Sequence, residues 1–170
     1  MGSYVAWNWQ TNPVYDSDSV RIDSRVAPIV HCEFKSPRDV TDDEIQMFLD
    51  VADQHILNGD PYLALVGLRP ATGIVSARHR KMFADWLVER EKELQQENVC
   101  TVVVIPESIF RAVLRVVYRF RVPPLRTVTV PSMQAALDAA RTELVRIGHE
   151  LTPELTSFLD SLEVAESLSG

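Results

Sequence analysis

Residues 41–68 read TDDEIQMFLDVADQHILNGDPYLALVGL: a helix start, a helix, its stop and a buried strand in one stretch. Thr41-Asp42-Asp43-Glu44 has the form of a capping box, in which the threonine hydroxyl and the glutamate carboxylate each satisfy an end of the first helical turn. Ile45, Phe48, Leu49, Ala52 and Ile56 then fall at i, i+3, i+4, i+7 and i+11, the spacing of one apolar helix face. Asn58-Gly59-Asp60-Pro61 supplies a left-handed stop and a proline beyond it. Tyr62 to Leu68 is a nearly continuous apolar run, as expected of a central strand covered on both faces.

Working outward, the same alternation repeats. Upstream, Tyr15 to Asp23 and Ala27 to Phe34 read as two strands joined through a turn near Ser24-Arg25, most simply a β-hairpin. Downstream, Met82, Phe83, Trp86, Leu87 and Leu94 mark the buried side of a second helix ending near Asn98, and Val99 to Ile105 is the next buried strand. A third helix is expected from Ser108 to Phe120, with Ile109, Val113, Val116, Val117 and Phe120 on one face and Val122-Pro123-Pro124 as its stop. Leu125 to Val130 makes a short last strand. Pro131-Ser132 opens a helix with Met133, Ala136, Leu137, Ala140, Leu144 and Ile147 on its core side, and Thr152-Pro153-Glu154 opens one more.

Successive β-α units with short connections call for right-handed crossovers. The predicted fold is therefore α/β: a single, mostly parallel sheet of about five strands, with an N-terminal antiparallel hairpin, flanked by four to five helices. Residues 1–14, carrying Tyr4, Trp7 and Trp9, read as an extended aromatic arm that either packs on the domain or docks a partner. Residues 15–148 form the α/β domain, and 149–170 a C-terminal amphipathic helix and tail.

Composition narrows the functional classes. A chain of 170 residues fits one domain and buries a sizeable core without staples. Cys32 and Cys100 sit in apolar, strand-like runs with no metal-ligand spacing around them, so they read as buried reduced thiols in a cytoplasmic protein, with no metal and no cofactor implied. The apolar runs are too short for a membrane span, and Met1-Gly2-Ser3-Tyr4-Val5-Ala6 lacks the basic flank and apolar stretch of a signal peptide. Net charge is −7, spread unevenly: residues 1–68 hold 4 Lys/Arg against 11 Asp/Glu, residues 69–126 hold 11 against 6, and residues 127–170 hold 2 against 7. An acidic chain with a basic middle is a poor generic nucleic-acid binder.

Sites in such sheets gather at the carboxyl ends of the strands, which draws attention to the loop from Gly67 to Ser76. Ser76 is the expected N-cap of the second helix, where backbone amides favour an anion; Arg69, Thr72 and Arg78 flank it. Neither G-x-x-x-x-G-K-[ST] nor G-x-G-x-x-G occurs. Arg111, Arg115 and Arg119 repeat every four residues and form one stripe, with Arg121 and Arg126 close behind. Their counter-charges are to be sought in the protein's own acidic segments, in an acidic partner, or in a second copy of the chain. His31 and Cys32 are strand neighbours that point to opposite faces, and no G-x-S-x-G elbow is present, so no catalytic residue is assigned.

The hairpin, the capped helix, Tyr62-Leu63-Ala64-Leu65-Val66-Gly67-Leu68-Arg69, the Phe83-x-x-Trp86-Leu87 helix, Val102-Val103-Val104-Ile105, and Val128-x-Val130-Pro131-Ser132 with Ala135-Ala136-Leu137 follow one another in an order that resembles a STAS (anti-sigma-factor-antagonist-like) domain over residues 15–148. That resemblance implies a non-enzymatic regulatory or scaffolding module that binds a protein partner in bacterial signalling. It also implies that Ser76, or Thr72, falls near a position phosphorylated in some members, although those members present Asp, two hydroxyl residues and Gly where this chain reads Gly73-Ile74-Val75-Ser76. The alternatives are a small-molecule or lipid carrier with a pocket between sheet and helices, and a hydrolase or transferase built on the strand-end loops.

Overall fold

The computed structural model describes residues 7–68, 76–105 and 125–167. Along the chain these form β1 (Val14–Asp16), β2 (Val20–Asp23), β3 (Ile29–Phe34), α1 (Asp42–Ile56), β4 (Tyr62–Leu68), α2 (Ala77–Glu89), α3 (Glu91–Leu94), β5 (Val99–Val104), β6 (Arg126–Val130), α4 (Met133–Arg146) and α5 (Pro153–Ser167). The expected third helix and its arginine stripe lie outside the described residues.

All six strands join one sheet in the order β1-β2-β3-β4-β5-β6. The first two pairings are antiparallel and the remaining three parallel. A parallel sheet whose strands add in one direction through right-handed crossovers keeps its crossover helices on one face. Accordingly α1 and α2 pack over Val20, Ile22, Val30, Cys32, Phe34, Tyr62 and Ala64. The opposite face, with Ile29, Leu63, Leu65, Val102 and Val104, is covered by α4 and α5, which follow the last strand and owe nothing to a crossover. Leu155, Phe158 and Leu159 of α5 belong to that buried cluster, so the C-terminal helix completes the second face.

Two sequence expectations change. The sheet has six strands, because Tyr15 to Asp23 is two strands and a turn rather than one strand. Glu44 is the reason. The carboxylate that closes the capping box on Thr41 also accepts hydrogen bonds from Tyr15 Oη (3.2 Å), Ser17 Oγ (2.6 Å) and Ser19 Oγ (2.9 Å), and so pins the β1–β2 turn to the start of α1. The expected helix from the Ser76 cap to Asn98 is likewise two. The chain breaks at Arg90 (φ −106°, ψ 16°), whose guanidinium reaches Asp53 of α1 at 2.9 Å, and the short α3 turns Leu94 fully into the core. Of the two readings of the aromatic arm, packing on the domain holds for its described part: Trp9 is buried, and Trp7 stacks edge-on to Tyr15 with centroids 5.1 Å apart.

The stop after α1 is as expected. Gly59 adopts φ +72°, a conformation a side chain disfavours, directly after the last helical turn. Both cysteines are free and buried, Cys32 on β3 and Cys100 on β5.

Glu44 is only 5% exposed, and burial raises its pKa. The bonds from Ser17, from Thr41 and from Ser19 outweigh that effect and hold the carboxyl below the usual range. Its contribution is therefore present at neutral pH and is lost as pH falls through that lowered value. Replacing Glu44 with Ala strands four hydroxyls and one backbone N–H. The expected cost is about 3 kcal/mol at pH 7, read by urea denaturation, with Glu44→Gln intermediate; a loss under about 1 kcal/mol would refute the anchoring role.

Candidate functional site

α1, α2 and α4 all start at the sheet edge formed by the carboxyl ends of the parallel strands, each capped by a hydroxyl: Thr41, Ser76 and Ser132. The caps differ in what surrounds them. All three are exposed, but the Thr41 hydroxyl also donates to the Glu44 carboxylate, whereas Ser76 Oγ accepts from His79 N at 3.1 Å. Three residues after the cap, the His79 ring turns inward and is buried, with Nε2 3.0 Å from Asp42 Oδ1 at the first turn of α1. Arg78, its side chain 77% exposed, forms an ion pair with the other oxygen of the same carboxylate. Asp42 thus ties the beginnings of two crossover helices together, with a serine hydroxyl and an arginine standing outside the tie.

A serine, a histidine and an aspartate at one rim resemble the parts of a hydrolytic triad, but the link that would make one is missing. The hydroxyl of Ser76 bonds to the backbone N–H of His79, and His79 Nδ1 is buried with no hydrogen-bond partner. Among the described residues no base is poised to take the hydroxyl proton.

Behind the rim, between the sheet and the α1–α2 layer, lies a partly open apolar cavity of about 240 Å³. Phe48, Phe83 and Trp86 stand over a floor of Ala64, Thr101 and Thr127. Trp86 is held there by its indole N–H, which donates to Asp53 Oδ1 at 2.8 Å beside the Arg90–Asp53 pair.

Of the residues singled out from sequence, Ser76 and Arg78 come together at the rim. Arg69, Thr72, Arg111, Arg115 and Arg119 lie outside the described residues. Arg126 is answered within the fold: it reaches Glu143 of α4 with two bonds of 2.8 Å, and Arg146 adds a third of 2.5 Å. The Arg126 bonds hold the Glu143 carboxyl down to about 2, and burial beside it pushes the Cys100 thiol up to about 12. Asp42 and His79, which complete the rim, were not assigned a role from sequence. They are 37 residues apart, and the one available signal was the position of His79 three residues after a cap.

His31 lies on the face opposite Cys32, paired across the β2–β3 ladder with Asp23, and both its ring nitrogens are buried without a hydrogen-bond partner. Among the described residues no group of three or more His, Cys, Asp or Glu could hold a metal ion, and no helix is long and apolar enough to cross a membrane.

No protein-family model, no curated protein and no solved structure matches the chain.

Burial lowers the His31 pKa to about 4, against the opposing pull of Glu33 and Asp23 and with Arg21 adding to the depression. The unfolded chain therefore takes up a proton between pH 6.5 and 4 that the folded chain refuses, and stability falls as pH falls through this window. Relative to His31→Leu, the wild type should lose up to about 3 kcal/mol between pH 7 and pH 4 in denaturation experiments. Parallel pH profiles for the two proteins would show that His31 is not held neutral.

Proposed function

We propose that the chain is a regulatory or scaffolding module of the STAS type, a cytoplasmic protein that recognises another protein through the rim where α1 and α2 begin. The observation that carries this reading is the shared carboxylate of Asp42, bridged to buried His79 on one side and to exposed Arg78 on the other, with the Ser76 hydroxyl exposed beside them. Surface ion pairs contribute roughly 0–1 kcal/mol, so Arg78 exchanges Asp42 for a partner's carboxylate at little cost. His79, fixed from inside, keeps the two helix starts in register while it does so.

The same geometry gives Ser76 a regulatory use. A phosphate there would sit at the positive end of α2 and compete with Asp42 for Arg78, placing like charges side by side at the joint between two helices. Recognition at this rim would then be switched by a charge of about −2. The element order that resembles a STAS domain supports the module reading, and so does the absence of a hydrogen bond between Ser76 and His79 side chains.

The test is quantitative affinity capture from native lysate with wild type, Arg78→Glu and Ser76→Asp, each first checked for an unchanged thermal midpoint. A protein recovered in stoichiometric amount by wild type should fall at least tenfold with Arg78→Glu and change with Ser76→Asp. Recovery of nothing specific, or equal recovery by all three, refutes the reading.

A further inference from the structure

We draw no further inference here: the strongest candidate, the apolar cavity over Ala64, Thr101 and Thr127, lies on the sheet face that the β5–β6 connection (106–124) must span, and its walls therefore depend on a segment outside the described residues.

Discussion

The carboxylate of Glu44 is the constraint on which the N-terminal half depends. A capping box needs only one of its oxygens, for the backbone of Thr41. Here the same group also gathers the hydroxyls of Tyr15, Ser17 and Ser19, so the end of a helix and the turn of a hairpin share one buried charge. A charge taken out of water is tolerated only when hydrogen bonds replace its hydration, and four hydroxyls and an N–H do so. The turn in consequence holds β1 and β2 at the height of the α1 start, and the shared register carries through β3 to the parallel strands. Glu143 plays a comparable part at the other edge, where it draws Arg126 of β6 and Arg146 of α4 onto one buried carboxylate.

Between these two anchors the layers are set by ordinary packing. Leu63, Leu65 and Val102 are wholly buried against α4 and α5, while Tyr62 and Ala64 are buried on the side of α1 and α2. Burying each large aliphatic side chain is worth roughly 1.5–3 kcal/mol. The rim is a consequence of this layering: the crossover helices α1 and α2 lie on a common face and so start at a common edge.

Local signals were legible and distant ones were not. The capping box, the α1 stripe, the stop at Gly59 and the run from Tyr62 are each written within a few residues, and the structure follows them closely. The division of Tyr15 to Asp23 into two strands was not legible, because the acceptor for Ser17 and Ser19 lies 25 to 27 residues downstream. The break at Arg90 has the same origin, since its partner Asp53 belongs to another helix. At the site, Ser76 could be named as a cap and Arg78 as its neighbour. The Asp42–His79 bond needed the two crossover helices to be laid side by side. The alignment of Ala64, Thr101 and Thr127 across three strands was hidden for another reason: each is unremarkable in its own strand, and only the register brings them together.

The strand order has a bearing on biosynthesis. Every strand from β2 onward hydrogen-bonds to the strand made immediately before it, so the sheet can grow as the polypeptide leaves the ribosome, without waiting for a distant segment to be inserted. Each stage of that growth ends in an open row of backbone donors and acceptors, which only the next strand covers. The last strand to arrive, β6, comes with its own fastening in Arg126, whose carboxylate partner is made 17 residues later and locks the finished edge from the opposite face.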